Sequence, residues 1–211
     1  WDVVNEAVSD NPNELLRNSN WYKICGEDYI AKAFEYAHEA DPDAQLFYND
    51  YNVERRDKKA NVLRLIRSLK EKNIPIYGIG MQSHWSVFEP GKLALETAIE
   101  QYASMGLKIH ITELDVSVYP WEPVERGVRP GEAAAYTAEM EQRQVDKYQM
   151  VFDVFRKYKS VIESVTFWNV SDRYSWLDNF PVAGRKDYPM LFDENLKPKK
   201  AYWKIVNFKH N

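Results

Sequence analysis

Five short apolar runs alternate with five helical patterns along the chain, and every run ends in polar or aromatic residues. No other feature narrows the fold as far. Residues 1–6, 45–49, 77–82, 108–113 and 161–168 read as strands. Residues 27–40, 56–73, 90–105, 131–159 and 199–208 read as helices. Ile30, Ala33, Phe34 and Ala37 recur at helical spacing, as do Val62, Leu65, Ile66 and Leu69. A third stripe passes through Tyr136, Met140, Tyr148, Phe152 and Phe155. Asp41-Pro42 closes the first helix, and Gly106 stands just past the third, which carries Pro90 near its start. Alternation of this kind implies parallel strands joined by right-handed crossovers. The polar clusters are Asn5-Glu6, Asn49-Asp50, Gln82 to His84, Glu113 to Asp115 and Asp172 to Trp176, one after each strand. A doubly wound sheet would concentrate its ligand at one switch point. Polar ends on all the strands favour a (β/α)8 barrel, whose chemistry sits at the C-terminal strand ends. Five strands do not close such a barrel, so three are expected to be missing from the front. Residues 116–130 and 169–198 read as long irregular stretches rich in aromatics. The segment after the first strand reads as loop, with Asn11-Pro12-Asn13 and Asn18-Ser19-Asn20 as turn material.

A chain of 211 residues is long enough for one domain with a sizeable core. Its 7 Trp and 14 Tyr exceed what a core alone needs, and aromatic faces are what sugar rings pack on. The net charge of −4 with scattered basic residues gives no nucleic-acid footprint. No apolar run approaches the roughly 20 residues of a membrane span. The single cysteine, Cys25, rules out an internal disulfide. No His/Cys/Asp spacing suits a metal, no Gly-rich loop suits a phosphate, and no nucleophile elbow is present. The chain opens on Trp1, without Met, inside a strand-like segment, so the start reads as cut and the lack of a signal segment says nothing about location.

The chemistry concentrates in two stretches. In Ile109-His110-Ile111-Thr112-Glu113-Leu114-Asp115-Val116, the residues Ile109, Ile111, Glu113 and Asp115 share one strand parity. Apolar, apolar, acid, acid fits a strand whose buried part ends at Glu113. Trp1-Asp2-Val3-Val4-Asn5-Glu6-Ala7 likewise runs from apolar residues to a carboxylate. Two glutamates at two strand ends suit a retaining glycosidase, which needs a nucleophile and an acid/base about 5–5.5 Å apart. The plainer reading is two glutamates in solvent. Gln82 and His84 share a parity and are expected to point into one mouth. Asp115 is expected to orient His84 through its other ring nitrogen. His110 has the opposite parity and reads as structural; His38 and His210 read as solvated.

With those residues in view, the chain resembles the C-terminal two-thirds of a glycoside hydrolase family 10 endo-β-1,4-xylanase. The resemblance rests on residues 1–7, on Tyr48-Asn49-Asp50-Tyr51-Asn52, and on Gly78-Ile79-Gly80-Met81-Gln82-Ser83-His84. It continues through Ile111-Thr112-Glu113-Leu114-Asp115, Phe167-Trp168-Asn169-Val170-Ser171-Asp172, Ser175-Trp176, Pro189 to Asp193 and Lys197 to Tyr202. The spacing of Glu6 and Glu113 is compatible with that family's fourth and seventh strands. The resemblance implies an α/β chain, residues 1–211 carrying about strands 4 to 8 of a (β/α)8 TIM barrel as part of a catalytic domain. It implies Glu6 as acid/base and Glu113 as nucleophile, with His84 bridging Glu113 and Asp115 and Gln82 near the acid/base. Asn5 would bond the sugar 2-hydroxyl, Trp168 and Trp176 would wall the sugar, and Asn49 and Tyr51 would join the substrate-binding set. No cofactor and no metal are implied. The implied partners are xylan or xylo-oligosaccharides and the N-terminal half of the same barrel, not nucleic acid or membrane. A secreted or periplasmic location is expected on the same ground.

Asn169 and Ser171 stand where the family usually has Gly and Thr, and the Asn169 side chain either narrows the Trp168 wall or points outward. A related barrel acting on β-glucan and a non-catalytic carbohydrate-binding barrel are the alternatives. With three strands absent, 1–211 alone is expected to be inactive and prone to aggregate, the strands near Val3 and Thr166 losing their neighbours and Val4, Phe47 and Ile111 losing cover.

Overall fold

The computed structural model describes residues 1–132 and 135–207. The elements in chain order are β1 (Asp2–Asn5), α1 (Asn20–Cys25), α2 (Tyr29–Ala40), β2 (Phe47–Asp50), α3 (Arg56–Glu71), β3 (Gly78–Met81) and β4 (His84–Ser86). They continue as α4 (Lys92–Ser104), β5 (Lys108–Ser117), β6 (Arg126–Gly127), α5 (Ala138–Lys157), β7 (Ile162–Phe167), β8 (Val182–Ala183) and α6 (Lys200–Val206). The chain divides into two compact units. The first is Trp1–Ser83, Leu93–Thr112 and Tyr158–Thr166; the second is His84–Lys92, Glu113–Lys157 and Phe167–Asn211.

In the first unit β1, β2, β3 and the opening half of β5 form a parallel sheet in that order, with β7 also paired to β5. Phe47 pairs with Gly78 and Gly78 with Lys108; Asn49 pairs with Gly80 and Gly80 with His110. The two glycines are there because their neighbours fill the space. A Cβ on Gly78 would stand 2.4 Å from Phe47 Cε1 and 2.5 Å from the Lys108 carbonyl oxygen. One on Gly80 would stand 2.3 Å from Asn49 Oδ1. Phe47 in turn stacks on His110, ring centroids 3.9 Å apart.

The helices of this unit bury the apolar stripes that define them: Ile30, Ala31 and Phe34 on α2, and Val62, Leu65, Ile66 and Leu69 on α3. Leu95, Ala98, Ile99 and Tyr102 do the same on α4. Each such side chain contributes about 1.5–3 kcal/mol on burial. Short α1 buries no side chain and is started by Ser19, whose hydroxyl accepts the Tyr22 N–H at 3.2 Å. With no apolar stripe to announce it, this stretch reads as turn material in the sequence. Val4, Phe47 and Ile111, expected to lose cover, are 8%, 1% and 0% exposed; neighbouring side chains of this chain cover them.

In the second unit β4 pairs in parallel with the far half of β5, from His84 opposite Asp115 to Ser86 opposite Ser117. The stretches read as irregular are therefore partly ordered into regular structure. β5 runs on to Ser117, and β6 pairs with β8. Two 3-10 turns, Asp172–Tyr174 and Trp176–Asp178, shape the segment after β7. On α5 the buried Gln144 ties two of these pieces together, its amide donating to the carbonyls of Val116 (3.0 Å) and Tyr188 (2.6 Å). Tyr148 adds a bond to the Pro189 carbonyl at 2.6 Å. The helix begins at Ala138 rather than 131, and Ala133 and Ala134 lie outside the described residues. So do Phe208, the expected end of α6, and His210. Among the described residues no helix is long and apolar enough to cross a membrane.

Candidate active site

Glu6 follows directly on β1 with φ 55, a left-handed backbone that a non-glycine residue adopts only where its surroundings hold it there. Its N–H donates to the Asn49 carbonyl at 2.9 Å, which ties this turn to β2. Both carboxyl oxygens have partners: Oε1 accepts from Gln82 Nε2 at 2.9 Å, and Oε2 lies 3.4 Å from Arg17 Nη1. Gln82 also donates to Asn5 Oδ1 at 3.2 Å, and the Asn49 amide donates to the same oxygen at 2.9 Å. Thr112 Oγ1 then donates to Asn49 Oδ1 at 2.8 Å. Asn5 is exposed, whereas Asn49 is 4% exposed. Asn49, expected among the substrate-binding residues, lies directly behind Asn5 and gives an amide hydrogen to it.

Behind Glu6 lies a charge network that sequence reasoning missed. Arg17 Nη2 meets Asp10 Oδ2 at 3.1 Å and also bonds the Tyr51 hydroxyl. Tyr51 donates to Asp10 Oδ2 at 2.5 Å, and the Lys58 ammonium sits 3.6 Å from the centre of its ring. Lys58, itself buried, bridges Asp10 and Asp50 at 2.9 Å each. Burial pushes the Asp50 carboxyl up despite Lys58. Burial also works to raise Asp10, but its bonds from Lys58 and Tyr51 outweigh that and hold it below the usual carboxylate range. Tyr51, expected to contact substrate, has its hydroxyl committed to this network. The one available signal was compositional: Arg17 is the only Lys or Arg before Lys23.

The second unit holds the other carboxylate. Glu113 and Asp115 lie on β5, and His84 opens β4 between them. His84 Nδ1 is 3.0 Å from Asp115 Oδ2, and Nε2 is 3.2 Å from Glu113 Oε2. Burial pulls the imidazolium down, but the hydrogen bonds and charges of Asp115 and Glu113 prevail and raise it to about 9. At neutral pH it is therefore a cation with both N–H groups donating to carboxylates. Trp176 Nε1 donates to the same Asp115 oxygen at 2.8 Å. The rings of Trp176 and Trp168 meet His84 edge-on, with centroids 5.0 and 6.1 Å away, and Trp176 stacks on Phe180. Asn169 turns away from a wall role: its amide donates to the Tyr174 carbonyl at 2.9 Å, and its oxygen accepts the Val170 N–H at 2.8 Å.

The parity that pairs Gln82 with His84 does not hold. β3 ends at Met81, Ser83 takes φ 66, and β4 starts afresh at His84. Gln82 reaches Asn5 and Glu6; His84 reaches Glu113 and Asp115. His110 Nε2 stands 3.7 Å from Glu163, in keeping with a structural role, and His38 is exposed. Among the described residues no group of three His, Cys, Asp or Glu is placed to hold a metal ion.

Each unit thus carries a strand-end glutamate with its own partners, Glu6 with an amide and a guanidinium and Glu113 with the His84 ring. Residues 1–208 match the model of glycosyl hydrolase family 10, and the chain belongs to that family. It is 50% identical over 207 residues to an endo-1,4-beta-xylanase of Geobacillus stearothermophilus, covering 98% of this chain and 61% of that protein. The crystal structure of xylanase XynB from Paenibacillus barcinonensis, complexed with a conduramine derivative, superposes with a TM-score of 0.91 at 47% identity, over 98% of this chain and 61% of that one. A mutant structure in complex with xylotriose superposes at 0.92 with 48% identity, over 99% and 62%. The fold is thus the family's α/β TIM barrel in part, and the chain spans about three fifths of the length of these relatives.

Proposed function

We propose that this chain carries the two catalytic carboxylates of a retaining endo-β-1,4-xylanase, Glu113 as nucleophile and Glu6 as acid/base, acting on xylan and xylo-oligosaccharides. The observation that carries the reading is that each of two strand-end glutamates is held by hydrogen-bonding side chains, with an exposed Asn5 beside one of them. Glu113 Oε2 lies 3.2 Å from His84 Nε2, a contact that fixes the orientation of the carboxyl for attack. Glu6 is held on one oxygen by the neutral Gln82 amide and faces the Arg17 guanidinium at 3.4 Å on the other, with Asn5 exposed beside it. In the first step Glu113 bonds to the anomeric carbon while the glycosidic C–O bond breaks, and Glu6 gives its proton to the leaving oxygen. In the second, Glu6 takes a proton from water, the water oxygen bonds to the anomeric carbon, and Glu113 leaves. Two inversions retain the configuration, which requires carboxyls about 5–5.5 Å apart. Asn5 would bond the 2-hydroxyl of the sugar, with Trp168 and Trp176 walling it. The xylanase names of the relatives and the xylotriose complex support this substrate class. On this reading residues 1–211 act as part of one catalytic domain, as about strands 4 to 8, and turnover requires the rest of the relatives' barrel, in cis or as a partner fragment. A polymer too large to enter a cell accords with a secreted or periplasmic enzyme.

The test uses 1–211 completed with the remaining share of a family 10 relative. Glu113→Ala should abolish turnover with substrate binding largely intact, and added azide should yield a glycosyl azide of inverted configuration. Glu6→Ala should slow unactivated substrates by about 10²–10⁴-fold, and azide should restore turnover of activated ones with the anomer retained. Wild-type-like turnover in either variant would refute the assignment. Faster cleavage of β-glucan than of xylan would favour the related barrel. Binding without turnover in the completed, unmutated protein would favour a carbohydrate-binding one.

A further inference from the structure

We infer that Arg17 is a positioning residue for Glu6, a brace that fixes the carboxyl from the side opposite Gln82. The inference rests on the acid/base role proposed for Glu6. The geometry is a two-point grip: Gln82 holds Oε1 and Arg17 faces Oε2. A carboxyl gripped at both oxygens cannot rotate about its terminal bond without losing a partner. Protonating a leaving oxygen depends on that rotation, because the proton must lie on one oxygen and point at one place.

Arg17 is itself immobilised. Its Nε donates to the Val8 carbonyl at 3.2 Å, its backbone N–H to the Ala7 carbonyl at 2.8 Å, and its Nη2 to Asp10. Asp10 is fixed in turn by Tyr51 and by Lys58, and Lys58 by the buried Asp50. The brace therefore runs from a fully buried carboxylate through alternating charges to the carboxyl of Glu6. Alternation matters as much as contact, since Asp10 and Tyr51 engage the far end of the guanidinium and share its charge. A loop held only for its own sake would need the Val8 and Ala7 bonds and no side-chain tie to Glu6. Arg17 makes both kinds: Nε and the backbone N–H hold the loop, and Nη1 faces Glu6.

The experiment separates acid assistance from everything else. In the completed enzyme, kcat and KM are measured on an aryl xylobioside with a dinitrophenol leaving group and on xylotetraose. The first needs little proton transfer to depart; the second cannot leave without it. Arg17→Met should lower the ratio of kcat/KM on xylotetraose to kcat/KM on the aryl glycoside, which reports the first step alone, about tenfold, with KM for xylotetraose little changed. Arg17→Lys, which keeps a cation near Oε2, should recover part of that ratio. Asp10→Asn should shift it the same way by less. Equal losses on the two substrates, or no change in the ratio, would overturn the inference. If Arg17→Met does not fold, as judged by thermal melting, Asp10→Asn decides alone, and an unchanged ratio overturns the brace. Glu6→Ala is run on the same pair. If it lowers kcat/KM on both equally, the role of Glu6 as acid fails; if it is selective and Arg17→Met is not, only the brace fails.

Discussion

His84 is the residue through which the proposed nucleophile is held. Both of its ring nitrogens face carboxylates, and the Asp115 side chain is 1% exposed. Replacing Asp115 by Asn keeps the shape and removes the charge that helps hold His84 protonated. A hydrogen bond to a charged group contributes about 1.5–3 kcal/mol, so Asp115→Asn in the completed enzyme should lower kcat by about 10- to 100-fold and change KM less. Steady-state kinetics on xylo-oligosaccharides check this; a change in KM alone would mean that Asp115 serves binding only. The glutamates were legible because each interrupts an apolar run, which is costly in a plain core strand. Arg17 was not, because its tie to Glu6 crosses a loop with no periodicity. The break between β3 and β4 was not, because a left-handed turn at Ser83 cannot be read from a serine.

At the scale of elements, β3 is the strand with least freedom. Its glycines admit Phe47 and Asn49 from β2, and the sequence could say only that backbone or ligand comes close there. Gly78→Ala drives a methyl into the Lys108 carbonyl, which is backbone and cannot step aside. It should destabilise the chain by about 1–3 kcal/mol or more, read as a lower urea midpoint. Gly91→Ala, where a Cβ meets nothing within 4 Å, should leave the midpoint unchanged. Equal behaviour of the two would show that the β2–β3 packing is looser than described. The five main strands and the long helices were readable because burial imposes a period on them. The two-residue strands β6 and β8 are too short to show alternation, and they exist because Arg126 and Gly127 find Val182 and Ala183 far along the chain.

For the whole molecule, the alternation of strand and helix sufficed for the fold class, because parallel strands leave few connections open. The division into two units was not legible, since the boundary inside β5 falls between Thr112 and Glu113, mid-strand, with no linker composition to mark it. Stability should carry the signature of His84. Its folded affinity for a proton is raised, to about 9 from an ordinary 6.5, so its contribution is full below pH 6.5 and is lost as pH rises through 9. Thermal melts should show a decline across that window, and His84→Gln should lack that component; parallel profiles would rule the coupling out.

One further property follows from the oxygen that Asp115 offers to both His84 and Trp176. Sugar preference and reactivity are commonly treated as separate traits that selection can tune in turn. With Trp176 as the wall proposed for the sugar, they share an atom. A substitution at Trp176 that reshapes the wall also removes a donor from the group that steadies His84, so specificity at this face should be slow to drift. Variants that escape the constraint should carry a second change at Asp115 or His84.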